Sequence, residues 1–432
     1  MIWKNFRREL GYTTSRLISV IIITAVAVLV QVALSGVAYN GDRIAEDYFA
    51  NQNVADYWIT GTGFDRADYR DLQKIKGIAE IQPRIVLDAE QWRNEDVALT
   101  LYGIADGYHI NTPLVIEGGF PENSREMMMS DQFAEKHNLH IGDDYEMLLP
   151  DTDRRIKKTI CALIKSPECL FHVNATTLSP DFERYGFAYL NEEAFADTWE
   201  KNVYNQICIT VTGEVSDAEI KSAISAEFGN KVISIVALKD NIGAYNLVTQ
   251  TDILRNIVLV FPIIFFLVAL LIMFSTMSRL IENARTAIGT MKALGYYDKT
   301  LLLYYLLYSV LVVLLGFVIG VLPANGLITK PIMDIFFSAL DLPAHQILSD
   351  KSSWGTAFLL TCIFCIGTSF FVTAKALLEK PADCMRAKPP KKVKKLLLER
   401  IPFLWRSLGF STKYIRPVLK LNKNVKQQYL KV

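Results

Sequence analysis

The stretch that decides the fold of this 432-residue chain is NIVLVFPIIFFLVALLIMFSTMS, residues 256–278. It carries no charged side chain, and as a helix it would be about 35 Å long at a rise of 1.5 Å per residue. That length crosses a hydrocarbon core of about 30 Å. Residues 17–40, 301–329 and 352–374 are likewise uncharged. The sequence therefore predicts four membrane-spanning helices.

Long apolar stretches also occur as buried helices of soluble proteins and as signal peptides. Buried helices of large soluble proteins seldom run uncharged for more than about 15 residues, so four such runs favour spans. The first stretch has the basic flank and small residues of a cleavable signal peptide, for example around Ala33 and Ser35. Its apolar run exceeds the 7–15 residues of a usual signal core, which favours a permanent anchor.

The distribution of charge predicts the topology. Between Asp42 and Asp252 there are 36 acidic and 19 basic side chains, whereas the remaining Lys and Arg residues flank the spans. Because Lys and Arg mark cytoplasmic loops, we expect a multi-pass plasma-membrane protein with both termini in the cytoplasm and residues 41–252 outside. The expected segments are 1–16 (cytoplasmic), 17–40 (first span), 41–252 (outer domain with stalk), 253–278 (second span), 279–299 (cytoplasmic helix), 300–323 (third span), 324–352 (outer loop), 353–375 (fourth span) and 376–432 (basic tail).

The fold class predicted is a membrane α-helical protein, in a one-plus-three arrangement of spans, with a large mixed α/β domain outside. Within that domain, alternating apolar residues predict strands such as 81–87, where Pro83 suggests an edge, and 206–211. Ser216 and Glu219 have the spacing of a capping box and predict the start of a helix. Residues 241–255 are helix-compatible and are expected to extend the second span outwards as a stalk.

Gly316 and Gly320 form a Gly-x-x-x-Gly pair in the third span. Paired glycines allow two helices to approach closely in lipid. We therefore expect them to mark the protein-facing side of that span.

Sequence signatures of catalysis are missing from the chain. It has no P-loop, no His-Glu-x-x-His and no Gly-x-Ser-x-Gly motif, and no charged residue lies in the middle of a span. We predict a non-catalytic subunit without cofactor, metal or nucleic-acid partner. Cys161, Cys169 and Cys208 of the outer domain allow at most one disulfide, and the sequence leaves its pairing open.

Between the second and third spans lies RLIENARTAIGTMKALG, residues 279–295. Gly295 is suited to end a helix in a left-handed cap. This stretch resembles the short cytoplasmic helix of FtsX-like and MacB-like ABC permeases, Arg-x-x-Ile-Gly-x-x-Lys/Arg-Ala-Leu-Gly, with Ala287 where that family commonly has Glu or Gln. The resemblance is firmest over residues 253–381 and implies an outer domain of the MacB-like core type. It implies an ATPase-coupling interface at Arg285, Ile288, Gly289, Met291, Lys292, Ala293, Leu294 and Gly295.

The resemblance implies a permease that couples ATP hydrolysis in a separate, dimeric ABC ATPase to export or release of a lipid, peptide or lipoprotein-like cargo. The alternative is an FtsX-type regulator of an extracytoplasmic cell-wall hydrolase. Residues 380–410 resemble the linker of long two-module permeases, so a second FtsX-like module is an expected partner, or this chain is a split or non-functional half. The basic run at 389–395 is expected to face membrane lipids.

Overall fold

A computed structural model describes residues 2–92, 94–105, 107–149, 154–173, 179–195, 203–213 and 215–385. The chain divides into two compact units. Of the described residues, the larger contains those up to Glu282 and Asp298–Leu377, and the smaller contains Asn283–Tyr297 and residues 378–385. The linker predicted at residues 380–410 is described only as far as residue 385, and the lipid-facing run predicted at 389–395 lies outside the described residues.

Four helical segments are long and apolar enough to cross a membrane, as the uncharged stretches predict. Two of them, α1 (Ile2–Asn51) and α5 (Ile242–Asn283), are continuous helices of 50 and 42 residues. At 1.5 Å per residue α5 is about 63 Å long, so it extends well beyond a 30 Å hydrocarbon core. The predicted stalk is therefore part of one continuous helix. These segments comprise α1 (Ile2–Asn51), α5 (Ile242–Asn283), α7 (Asp298–Pro323) continued through a π-helical turn at Ala324–Ile328 into α8 (Thr329–Phe336), and α9 (Lys351–Thr361) continued through a π-helical turn at Cys362–Ile366 into α10 (Gly367–Leu377).

The two glycines of the third span lie against α1. A Cβ atom added to Gly316 would lie 2.8 Å from Cγ2 of Thr24, and one added to Gly320 would lie 2.6 Å from the carbonyl oxygen of Ala25. Val28 is also within 2.9 Å of the added atom at Gly320. Only a residue without a side chain permits this approach, so the pair sets the distance between α7 and α1.

The rest of the larger unit contains a mixed α/β domain, as the sequence predicts. Its strands are β1 (Tyr57–Phe64), β2 (Ile78–Gln91), β3 (Asn94–Ile104), β4 (Leu114–Gly118), β5 (Glu126–Ser130), β6 (Asp144–Leu149), β7 (Arg154–Lys165), β8 (Tyr185–Asn191), β9 (Tyr204–Val211) and β10 (Val232–Ala237), and its helices are α2 (Arg66–Leu72), α3 (Asp131–His137) and α4 (Asp217–Phe228). The strands form one ten-stranded sheet in the order β10-β1-β9-β2-β3-β8-β5-β7-β4, and β6 pairs with β2 and β7.

Local signals in the domain correspond to the structure. The Ser216 side chain accepts from the N–H of Glu219, and the Glu219 side chain accepts from the N–H of Ser216, so the predicted capping box begins α4. Strand β2 pairs with β9 over residues 78–84 and with β3 over residues 85–91. Pro83 therefore lies in the part of β2 that pairs with only one neighbouring strand. Proline fits there because it has no N–H to donate to a second strand.

The domain and the ends of the helices nearest to it share a joint within the larger unit. Leu170, after β7, packs in one buried apolar cluster with Leu247 of α5 and Phe337 beyond α8. The backbone N–H of Asp341 donates to the carbonyl of Leu170 at 2.8 Å. Lys165, at the end of β7, forms ion pairs with the carboxylates of Asp341 and Asp131. Apolar packing and a buried polar cluster thus tie the sheet to the helices.

Candidate functional site

The segment between the second and third spans folds into a separate short helix, α6 (Arg285–Ala293). Its end has the hydrogen bonds of a Schellman motif. The N–H of Tyr296 donates to the carbonyl of Met291 at 3.0 Å, and the N–H of Gly295 donates to that of Lys292 at 3.1 Å. Gly295 has φ +90°, the left-handed region in which a side chain is disfavoured. The predicted glycine cap is present.

One face of α6 is turned inwards. Ile288 is 3% exposed, and Gly289 is buried. A Cβ atom added to Gly289 would lie 2.9 Å from the Cβ of Cys384 and 3.1 Å from the carbonyl oxygen of Pro381. Both belong to the five-residue helix α11 (Pro381–Met385), which follows the fourth span. Gly289 thus permits close contact between α6 and α11.

The basic side chains of α6 converge on Glu379, which precedes α11. Arg285 donates from Nε and Nη2 to Oε2 of Glu379 at 2.9 and 2.6 Å, and from Nη2 to the carbonyl of Asp383 at 2.9 Å. Lys292 Nζ donates to the backbone carbonyl of Glu379 at 3.2 Å. The hydrogen bond with Glu379 raises the pKa of the Arg285 guanidinium, which stays charged. Both cations are therefore engaged by one residue.

The opposite face of α6 and its C-terminal cap are exposed. Leu294 is 74% exposed and Tyr297 is 81% exposed. None of the exposed side chains between residues 285 and 297, all of which the structure describes, is charged. The exposed residues of this segment are Thr286, Ala287, Thr290, Ala293, Leu294, Gly295, Tyr296 and Tyr297.

The structure thus separates the eight residues of the expected coupling interface into two groups. Met291 is half-buried beside the inward face. Ala293 and Gly295 lie on the exposed side. The inward group consists of Arg285, Ile288, Gly289 and Lys292, and the exposed group consists of Ala293, Leu294 and Gly295. Sequence reasoning missed Glu379 because it lies 94 residues from Arg285 and no local pattern links the two.

A second ionic centre, also missed, lies inside the α/β domain. Arg84 of β2 donates from Nη1 and Nη2 to the two carboxylate oxygens of Glu168 at 2.5 and 2.6 Å. The two side chains are 1% and 4% exposed. Trp58 Nε1 and the Tyr189 hydroxyl each donate to Glu168 at 2.8 Å, and the Arg84 guanidinium lies 4.6 Å from the ring centre of Tyr102. Because the two buried charges are paired with each other and fully hydrogen-bonded, we interpret this centre as stabilising the domain and not as a binding site.

The described cysteine thiols and possible metal ligands of the domain show no reactive arrangement. Cys161, Cys169 and Cys208 are all free thiols. Burial raises the pKa of Cys169 and of Cys208 to about 12, so neither forms a thiolate at neutral pH. Within the described residues, no three His, Cys, Asp or Glu side chains are grouped so as to hold a metal ion.

Comparisons with known proteins bear on the segment that contains α6. Residues 259–381 match the FtsX-like permease C-terminal family. The chain is similar to the extracellular domain of the noncanonic ABC-type transporter YknZ from Gram-positive bacteria, at 15% identity and a TM-score of 0.27, over 42% of this chain and 99% of that one. It is also similar to the periplasmic region of MacB from Actinobacillus actinomycetemcomitans, at 12% identity and a TM-score of 0.28, over 45% of this chain and 91% of that one. No curated protein matches the chain.

The family match lies in the part of the chain that contains three of the four candidate spans, and it supports a resemblance to the membrane permease subunits of ABC transporters. The match over residues 259–381 confirms the resemblance to FtsX-like permeases stated from residues 279–295. The α6 helix lies inside the matched residues.

Proposed function

We propose that this protein couples ATP hydrolysis in a separate, dimeric ABC ATPase to movement of the α/β domain. That movement drives export or release of a lipid, peptide or lipoprotein-like cargo at the outer face of the plasma membrane. The observation that carries the proposal is α6, a short capped helix between two candidate spans, with Leu294 and Tyr297 exposed at and just after its C-terminal cap.

The exposed chemistry of α6 suits a protein partner. Large apolar and aromatic side chains on a surface mark interaction sites, and tyrosine is enriched in interface cores. A five-residue sequence around the cap, residues 293–297, exposes one leucine and two tyrosines and no charge. The ATPase subunit is the partner that an FtsX-like permease requires.

A route for movement is built into the larger unit. Helix α5 is continuous over 42 residues and joins the α/β domain to the segment before α6. At its outer end, the N–H of Phe171 donates to the carbonyl of Gly243 at 3.0 Å. The ion pair of Lys165 with Asp341 connects the same part of the sheet to the chain after α8. Displacement of the spans is therefore passed to the sheet as a rigid-body movement.

The proposed topology follows from the charge distribution. The α/β domain is outside, α6 and both termini are in the cytoplasm, and the acidic surface of residues 41–252 faces away from the ATPase. A second FtsX-like module completes the complex, because a dimeric ATPase presents two equivalent docking sites.

Co-purification tests the proposal. The tagged chain is extracted from native membranes in mild detergent, and retained proteins are identified by mass spectrometry. We expect an ABC ATPase with the unmodified chain and about tenfold less with Leu294→Asp, because a buried carboxylate without a partner opposes docking. Ile233→Asp, at a residue of β10 that is 67% exposed, is the matched control and should retain the ATPase. Equal recovery with all three chains contradicts the proposal.

A further inference from the structure

The inward-facing chemistry of α6 points to a role that is separate from docking. Both of its basic side chains hydrogen-bond to Glu379, one to the carboxylate and one to the backbone carbonyl. Arg285 also reaches the carbonyl of Asp383 in α11. The positive charge of α6 is thus used to hold the segment that follows the fourth span.

Gly289 has a physical reason to be glycine at this contact. The atom that any side chain would add lies 2.9 Å from the Cβ of Cys384, a distance at which neighbouring atoms must shift. The backbone of α6 therefore lies directly on α11, with no side chain between them at this position. Close backbone contact and three hydrogen bonds from Arg285 make the pair a compact unit.

We propose that α6 and α11 form a single two-helix seat for the ATPase, with Glu379 as the positioning residue. In this arrangement Arg285 and Lys292 hold the seat together, and the partner meets an uncharged face around Leu294 and Tyr297. This role rests on the proposed function, and we expect the ATPase surface that contacts the seat to be an apolar groove.

The seat links the ATPase to three spans by covalent continuity. Helix α6 lies in the chain between α5 and α7, and α11 follows α10 after residues 378–380. A force applied to α6 alone would reach two spans. Joined to α11, the same force also reaches α10, so the fourth span moves with the other two.

Disulfide trapping tests the seat without reference to an ATPase. The variant Gly289→Cys places a thiol beside native Cys384, and the Cβ separation of about 3.8 Å that a disulfide needs lies within a small adjustment of the present 2.9 Å. In membranes containing the full chain and a mild oxidant, we expect a disulfide between the introduced thiol and Cys384, detected by peptide mass spectrometry. Gly289→Cys with Cys384→Ser is the control. Failure of the disulfide to form in a correctly inserted chain overturns the seat.

A charge exchange tests the role of Glu379 even if the glycine variant perturbs α6. Glu379→Arg and Arg285→Glu should each lower recovery of the ATPase about tenfold, because each places like charges together. The double variant Arg285→Glu, Glu379→Arg should restore recovery to within about twofold of the unmodified chain. If Arg285 instead contacts the ATPase, the double variant stays as low as Arg285→Glu alone, and the inference is wrong.

The two experiments separate the seat from the proposed function. A disulfide at Cys384 combined with no ATPase on the unmodified chain supports the two-helix unit and removes its proposed partner. Recovery of the ATPase without the disulfide and without rescue supports the function and rejects the seat.

Discussion

Two ion pairs hold together different parts of this molecule, and their surroundings differ. Arg84 and Glu168 are almost fully buried in the α/β domain, and Trp58, Tyr189 and Gln206 complete their hydrogen bonds. Arg285 and Glu379 lie near the surface, with side-chain exposures of 18% and 40%. A buried pair is expensive to break, whereas an exposed pair contributes little to stability and can be rearranged. The comparison indicates that the buried pair contributes more to the stability of the α/β domain than the Arg285–Glu379 pair contributes to the contact between α6 and α11.

The largest effect is expected at the buried pair. Glu168→Gln leaves the Arg84 guanidinium without a counter-charge, which costs about 3–5 kcal/mol. For a chain of this size the midpoint shifts by about 1 °C per kcal/mol, so we expect a thermal midpoint about 3–5 °C lower for the full chain in detergent. Asp71→Asn, which removes the exposed pair with Lys74, should shift the midpoint by less than about 1 °C. Similar midpoints for both variants would show that the buried pair is not a structural anchor.

The next largest effect on stability is expected at the joint between the sheet and the helices, where the contribution of Asp341 depends on pH. Burial, and then repulsion from Asp131, raise the pKa of Asp341 from 3.8 to about 6, against the opposing pull of Lys165 and Gln132. The folded state therefore keeps this proton while the unfolded state loses it, so stability falls as pH rises from about 4 to 6.

The variant Asp341→Asn should remove that contribution. Thermal midpoints measured at pH 4, 5, 6 and 7 should fall with pH more steeply for the unmodified chain than for Asp341→Asn. The difference between the two chains, on the order of 2 kcal/mol, isolates Asp341 from other carboxylates. Tyr48, Asp131 and Lys165 surround it in both chains. Parallel pH curves would place the pKa of Asp341 in its ordinary range.

A smaller effect is expected where α7 meets α1. Gly320→Ala adds an atom 2.6 Å from the carbonyl oxygen of Ala25, and overpacking of this kind costs about 1–3 kcal/mol. Gly355→Ala in α9 is the matched control, because an added Cβ there meets nothing within 4 Å. The midpoint should fall for Gly320→Ala and stay or rise for Gly355→Ala. The opposite order would contradict the packing of these helices.

The smallest effect on stability is expected at the exposed pair. Glu379→Gln should change the thermal midpoint by less than about 1 °C, because solvent screens Arg285 and Glu379 from each other. The same variant should reduce ATPase recovery, since the seat loses its positioning carboxylate. A large loss of stability without loss of the ATPase would reverse the contrast between the two ion pairs.

Features set by nearby residues were predictable from the sequence. Uncharged runs gave the number of spans, the Ser216 and Glu219 spacing gave the start of α4, and Gly295 gave the end of α6. Each depends on residues within one helix, so a local pattern is sufficient. The eleven helical residues after Asn40 in α1 were missed, since apolar content marks the uncharged part of a long helix and not its polar continuation.

Features that join distant residues were not predictable in this way. Arg84 and Glu168 are 84 residues apart, and Arg285 and Glu379 are 94 residues apart. Each pairing is created by the packing of the sheet or of two helices, and a single charged residue in a sequence does not indicate its partner. The sequence therefore predicts Arg285 as part of the coupling interface and gives no sign of its hydrogen bonds to Glu379.

Hydrogen–deuterium exchange of the full chain in lipid nanodiscs, with and without the proposed ABC ATPase, tests the central claim most directly. Amides in peptides covering residues 285–297 should exchange more slowly when the ATPase is bound, and residues 165–171 at the joint should change when ATP replaces ADP. Unchanged exchange at residues 285–297 in the presence of a bound ATPase would contradict α6 as the coupling element.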